Sequence, residues 1–263
     1  MANTDAIILL DQVRFGYDVA PVVDGVTAQL ESGRLTALIG PNAAGKKTLM
    51  KLMLGLLRPW SGAVQAAGQE VTSMLPRERA RMLSYVPQRP GVRFAFTVRQ
   101  VIAMGANGQP RRASDERVEQ AIEEAGLTDV ADRVLMQLSG GQQQRVLLAR
   151  AEVQSADGKA MLLDEPGSHL DLQHRHGMMQ RLRKVANQGL AVLVVLHDLD
   201  LAIRYADDVW LMDSGRLASA GPWDQVLTPD RLGPVYGLSL EQIDCGTDRP
   251  LLAINETMDA TMR

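Results

Sequence analysis

A short apolar run, Leu35–Ile39, leads directly into Gly40-Pro41-Asn42-Ala43-Ala44-Gly45-Lys46. This junction restricts the fold more than anything else in the chain. The spacing of Gly40, Gly45 and Lys46 fits G-x-x-x-x-G-K, the pattern of a phosphate-binding P-loop, which is meaningful when a strand precedes it and a helix follows. Both flanks comply. Residues 35–39 read as a buried strand, 40–45 as a glycine-containing loop, and 46–57 as a helix ended by Pro59. In such a loop, backbone N–H groups and the helix N-terminus point at phosphate oxygens. Lys46 adds a positive charge for the β- and γ-phosphates. The plain alternative is a glycine turn that merely joins strand to helix.

One position departs from the pattern. The residue after Lys46 is ordinarily Ser or Thr, whose hydroxyl ligates Mg²⁺; here it is Lys47. A charged lysine has no lone pair and repels a dication. Thr48 follows, but one step along a helix turns a side chain by about 100 degrees, so Thr48 is not expected to replace the ligand. Further on, the apolar run Ala160–Leu163 ends in Asp164-Glu165. A buried strand ending in two carboxylates suits a metal on the first and a polarised water on the second.

Strands are expected at 6–13, 35–39, 83–86, 160–163, 191–196, 209–212 and 217–220, with a turn beginning at Ser61-Gly62 before another extended piece and a turn at Ser214-Gly215. Helices are expected at 97–104 with Thr97 as N-cap, at 114–125 with Ser114 as N-cap and Gly126 as stop, at 141–151 and at 171–186. Strands alternating with helices predict an α/β chain with a mostly parallel sheet, and the helix-rich middle predicts an inserted helical subdomain.

Composition excludes several classes. Lys+Arg is 28 against Asp+Glu 31, which lacks the basic excess of a nucleic-acid binder. Cys245 is the sole cysteine, so no intrachain disulfide forms, which fits a reducing compartment. No apolar run approaches the roughly 20 residues of a spanning helix. The apolar stretch 6–10 lies between Asp5 and Asp11 without a basic flank, and is not expected to be a signal peptide. Work at a membrane would then require a membrane partner. His169, His174 and His176 crowd together, but spacings of five and two do not share a helix face, so they are not expected to hold a metal.

With two phosphate-site motifs in place, further stretches acquire meaning. Leu138-Ser139-Gly140-Gly141-Gln142 matches the LSGGQ signature of ABC transporter ATPases, and the chain resembles that family. Tyr85-Val86-Pro87-Gln88 is similar to its Q-loop, Asp164 through Asp171 to its D-loop, and His197 after Val194-Val195-Leu196 to its switch histidine. Tyr17 sits where the family places a ring under adenine. The resemblance implies a P-loop NTPase (ABC ATPase) core from about 1–88 and 159–221, including an N-terminal antiparallel β portion. It implies a helical subdomain at about 89–158 and a C-terminal extension at 222–263, all within one domain.

It also implies ATP and Mg²⁺. Tyr17 and the loop residues Gly40, Pro41, Asn42, Ala43, Ala44, Gly45, Lys46, Lys47 and Thr48 would bind the nucleotide. Gln88 and Asp164 would hold the metal. Glu165 would be the general base, His197 would sense the γ-phosphate, and Gln88 would couple the site to a permease. Ser139, Gly140, Gly141 and Gln142 would contact ATP bound by a second copy, in an ATP-sandwich homodimer. The implied partners are that second copy, a polytopic membrane permease and, indirectly, a periplasmic or surface substrate-binding protein. The implied place is the cytoplasmic face of the inner membrane. The runs 96–101, 196–207 and 226–237 resemble importer ATPases for iron chelates, haem and cobalamin. Lys47 leaves open a weakly hydrolysing or non-hydrolysing regulatory subunit, and a soluble ABC ATPase of DNA repair or translation is a further alternative.

Overall fold

All five side chains of Leu35–Ile39 are buried, as expected for a strand covered on both faces. The computed structural model describes residues 6–88, 95–106, 111–168, 170–244, 246 and 249–255, with the side chains of 111–113 set aside. Its strands are β1 (Ala6–Phe15), β2 (Val23–Glu31), β3 (Leu35–Ile39), β4 (Ser61–Ala66), β5 (Gln69–Glu70) and β6 (Leu83–Val86), followed by β7 (Ala160–Leu163), β8 (Ala191–Val195), β9 (Asp208–Asp213), β10 (Arg216–Pro222), β11 (Leu240–Ile243) and β12 (Leu251–Ile254). Its α-helices are α1 (Lys46–Met53), α2 (Pro76–Met82), α3 (Val98–Ala103), α4 (Arg111–Glu124) and α5 (Gly140–Ser155), followed by α6 (Leu172–Asn187), α7 (Leu199–Tyr205), α8 (Trp223–Val226) and α9 (Pro229–Tyr236).

The main sheet runs β10-β9-β3-β8-β7-β6. Its five strands from β9 to β6 are parallel, and β10 closes one edge as an antiparallel hairpin with β9. A second, antiparallel sheet runs β2-β1-β4-β5, and β11 pairs with β12 in a short C-terminal ribbon. Successive strand residues point to opposite faces. Accordingly Leu38, Leu162, Leu193 and Val195 meet α1 and the antiparallel sheet in one core, while Ala37, Ile39, Leu163 and Val194 meet α5, α6 and α7 in another. A third core lies among α3, α4 and α5, centred on Val101, Ile102, Ile122 and Val146.

The structure corrects three boundaries. Ser114 does not cap a helix: α4 starts at Arg111 and Ser114 lies inside it. Helix α1 ends at Met53, short of residue 57, because the chain reverses through Gly55 at φ 61. The third expected helix starts at Gly140 and continues to Ser155. Thr97 caps α3 as expected, accepting from the Gln100 N–H while Gln100 returns a bond to the Thr97 backbone.

The segment after residue 221 packs into the body. Val226, Leu227 and Leu232 are buried in the core that holds α6 and α7. Arg249 lies 4.7 Å from the centroid of the Trp223 ring and donates to the carbonyls of Ile203 and Ala206 at the end of α7.

Candidate active site

The parallel order brings the site together. The loops after β3, β8, β7 and β6 leave the same edge of four adjacent strands, and carry Lys46 and Lys47, His197, Asp164 with Glu165, and Gln88, respectively. Binding at the carboxyl ends of such strands is the rule for open α/β sheets.

The P-loop is held from outside. Gly40 has φ 141, and a Cβ there would stand 2.1 Å from the Met212 carbonyl oxygen. Gly45 has φ 98, and a Cβ there would meet the Val22 carbonyl at 2.6 Å. Both positions therefore exclude any larger residue. Ala43 stands at φ 66, a conformation that costs an alanine roughly 1 kcal/mol or more. Gly45 precedes α1 with no side-chain cap, so the first N–H groups of α1 remain free for an anion.

Lys46 is buried and donates to the carbonyls of Gly40 at 2.7 Å and Pro41 at 2.8 Å. Burial lowers its pKa and the neighbouring Lys47 lowers it further, while Glu165 and Asp164 oppose this. Burial pushes the Tyr236 hydroxyl of α9 above its usual value, and the Gly40 backbone opposes this. A tyrosine this far along the chain belongs to no motif that ties it to the loop, so the influence of Gly40 on it is not legible from sequence.

Lys47 does not point into open solvent. Its ammonium donates to Gln88 Oε1 at 2.7 Å and lies 3.7 Å from Glu165 Oε1. Gln88 Nε2 donates to Glu165 Oε2 at 2.6 Å, and His197 Nε2 lies 3.0 Å from Glu165 Oε1. Glu165 itself sits at φ 48, a strained backbone of the kind that functional sites retain. Burial pushes its carboxyl up, but the His197 hydrogen bond and the charges of His197, Lys47 and Lys46 outweigh this and leave it below the usual 4.5. Such a group stays ionised yet is a weaker proton acceptor. In this arrangement both Glu165 oxygens are engaged.

Asp164 is buried, and its Oδ1 has no hydrogen-bond partner among the described residues. Burial raises its pKa, Glu165 adds to the rise, and Lys47, Lys46 and His197 oppose it. An unpartnered buried carboxylate oxygen suits a cation. The remaining donors do not suit a divalent one: Gln88 Oε1 already accepts from Lys47, and the P-loop hydroxyl position holds a charged amine. Thr48 does not fill the gap, since it is buried with its Oγ1 3.5 Å from the Tyr17 hydroxyl.

Tyr17 is 57% exposed beside the loop and packs edge-on to Phe15 at 5.2 Å. The signature lies elsewhere. Ser139 accepts from the Gln142 N–H at 3.3 Å and Gln142 Oε1 accepts from the Ser139 N–H at 3.0 Å, a complete capping box at the start of α5. Ser139 and Gly140 are exposed, and Gly141 and Gln142 half-buried. The structure thus brings Lys46, Lys47, Gln88, Asp164, Glu165 and His197 together, and leaves Ser139–Gln142 on their own helix end. His174 and His176 bond Asp171 and Tyr205 separately, and no metal-binding cluster of His, Cys, Asp or Glu occurs among the described residues; His169 and Cys245 lie outside them. Asp198, missed from the sequence, caps α7 and fixes the turn behind His197 through the N–H groups of Asp200 and Leu201. An Asp just before an apolar run was the available signal.

The family model described as ABC transporter matches residues 23–168, just over half of the chain. The chain belongs to this family. Hemin import ATP-binding protein HmuV of Rhodopseudomonas palustris (strain BisA53) is 40% identical over 227 residues, covering 84% of each chain. Cobalamin import ATP-binding protein BtuD of Halobacterium salinarum (strain R1) is 38% identical over 241 residues, covering 90% of this chain and 59% of its own. Among solved structures, a metal-chelate type ABC transporter in an inward-facing conformation aligns with TM-score 0.80 and 25% identity over 96% of this chain and 98% of its own. The molecule is an ABC ATPase with the P-loop NTPase fold, and its family uses ATP with Mg²⁺. Import ATP-binding subunits of the family work with membrane permease components. No helix among the described residues is long and apolar enough to cross a membrane.

Proposed function

We propose that this ABC ATPase drives uptake of haem or a related metal chelate. The observation that carries the site is the convergence of Lys46, Gln88, Asp164, Glu165 and His197 at the ends of four neighbouring strands. The cargo reading is supported by the likeness to haem and cobalamin import subunits. Two copies sandwich two ATP molecules. The Lys46 loop and Tyr17 of one copy bind ATP, and Ser139, Gly140, Gly141 and Gln142 of the other cap its γ-phosphate. An exposed helix start with a serine hydroxyl suits that anion. Glu165 takes the proton from the attacking water, and His197 fixes the carboxylate and meets the γ-phosphate. Gln88 joins the site to the segment that follows it, and so to the permease. The subunit sits at the cytoplasmic face of the membrane through that permease. A substrate-binding protein delivers cargo on the other side.

Copurification with the polytopic permease tests this reading. Turnover in the reconstituted complex should rise when haem-loaded binding protein is added. An unchanged rate with haem but stimulation with cobalamin reassigns the cargo, and failure to bind any permease removes the transport role.

A further inference from the structure

We propose that Lys47 is a tethered cation that takes the place of the divalent ion on this P-loop, so that nucleotide binding does not require Mg²⁺. The proposal rests on the ATP-site reading above. Its basis is where the ammonium lands. Lys47 could extend into water from an exposed helix start, yet its Nζ sits 2.7 Å from Gln88 Oε1 and 3.7 Å from Glu165 Oε1. Asp164, next to Glu165 in sequence, has a buried Oδ1 with no partner among the described residues. One ammonium therefore faces an amide oxygen and a carboxylate, the oxygen-rich surroundings a hard cation needs. The stem of Lys47 leaves α1 in its first turn, beside Lys46 and the uncapped N–H groups that receive phosphate. With half of its side chain exposed, the ammonium has an open side on which phosphate oxygens can bond.

A lysine differs from the metal in ways that can be measured. It supplies one positive charge where Mg²⁺ supplies two, and it cannot be removed by a chelator. It also occupies Gln88 Oε1 and repels a second cation placed next to it. Divalent affinity at the site should therefore be low even with ATP bound.

The test is ATP titration by calorimetry on the full chain, in EDTA and in saturating Mg²⁺, with Mn²⁺ electron spin resonance to count bound metal. Lys47→Ser restores a hydroxyl, and Lys47→Gln removes the charge while keeping a polar end. For the unaltered protein, Kd in EDTA and in Mg²⁺ should agree within about twofold, and ATP should recruit little Mn²⁺. For Lys47→Ser, Mg²⁺ should tighten ATP about tenfold or more, with Mn²⁺ binding appearing alongside. Lys47→Gln should bind ATP weakly in both buffers. A tenfold Mg²⁺ dependence in the unaltered protein overturns the proposal while leaving the ATP site intact. Absence of ATP binding in both buffers overturns the ATP site and this proposal together.

Discussion

The P-loop end and the signature end of this ABC ATPase, the two proposed to meet phosphate, are built in opposite ways. At the P-loop end, the four side chains of Lys47, Gln88, Glu165 and His197, from four loops, bond one another, and Met212 and Val22 press on the glycines from behind. At the signature end, the polar groups of Ser139 and Gln142 satisfy each other within one helix turn and face outward. The first end is fixed by tertiary structure before any ligand arrives. The second is a local structure whose outward side waits for another surface. A composite site made from these halves carries its chemistry on one and its recognition on the other, so damage should show different signatures at the two ends.

The largest effect is expected at the wired end. Glu165→Gln should keep ATP binding and lower turnover by about 10²–10⁴-fold, the usual worth of a general base. In the same variant, sedimentation at saturating ATP should show a dimer. Near-normal turnover would take Glu165 out of the chemistry, and a persistent monomer would break the sandwich.

Gly40→Ala should damage fold and binding together. Its Cβ would overlap the Met212 carbonyl at 2.1 Å, at φ 141. Thermal or urea unfolding should reveal a loss of about 3 kcal/mol, the upper part of the range for backbone strain at a special position. Stability equal to that of the parent would show that the loop relaxes, and the contrast between the two ends would weaken.

Ser139 separates helix capping from phosphate contact. Ser139→Ala should cost about 1 kcal/mol through the lost cap. Ser139→Asp keeps a good cap but sets a negative charge against the partner's γ-phosphate. It should retain stability while losing about tenfold or more in ATP-driven dimerisation, measured by sedimentation. Equal dimerisation by the Asp variant would mean that this helix start faces no anion.

These expectations rest unevenly on the sequence. The P-loop, Asp164-Glu165, the signature and His197 were legible because each is a local string whose chemistry needs fixed spacing. The position of Lys47 was not. Its partner Gln88 is 41 residues away in sequence, and only the neighbouring placement of β3, β8, β7 and β6 brings their loops together. Helices α2 and α7–α9 and the ribbon β11-β12 are not legible because short elements bury too few residues to show a period, and strand β2 is not because its buried residues Val23, Val26 and Leu30 do not alternate. Ser114 misled for a related reason: a Ser-Asp-Glu string scores as a helix start, but the helix already begins at Arg111.

Two smaller effects sharpen the picture of the P-loop end. Tyr17→Ala should weaken ATP about tenfold if the exposed ring stacks on adenine. Tyr17→Phe should change affinity little, because the hydroxyl lies 3.5 Å from Thr48 Oγ1, at the limit of a hydrogen bond. The smallest effect is expected behind the loop. The hydrogen bond from Arg216, with Arg14 adding its charge against the opposing effect of burial, holds the Asp24 carboxyl below 3.8. A lowered carboxyl pKa stabilises the fold above the unfolded value, and the gain disappears as pH falls through the folded one. Asp24→Asn should therefore unfold at slightly lower urea than the parent near neutral pH, with the gap closing below pH 3.8. A gap that persists in acid would trace the effect to packing.

The order β3-β8-β7-β6 has a consequence for changes in chain length. Each of these strands has only four or five residues, and Asp164, Gln88 and His197 follow within two residues of the ends of β7, β6 and β8, while Lys46 follows β3 across the P-loop. Deleting one residue inside β7 would retract Asp164 and Glu165 by about 3.3 Å and turn the residues beyond the cut to the opposite face. That shift exceeds the 2.6 Å bond that joins Glu165 to Gln88. The four strands can therefore exchange one apolar residue for another at modest cost, but none can gain or lose a residue. Insertions are expected to survive only in connections that leave the opposite edge of the sheet.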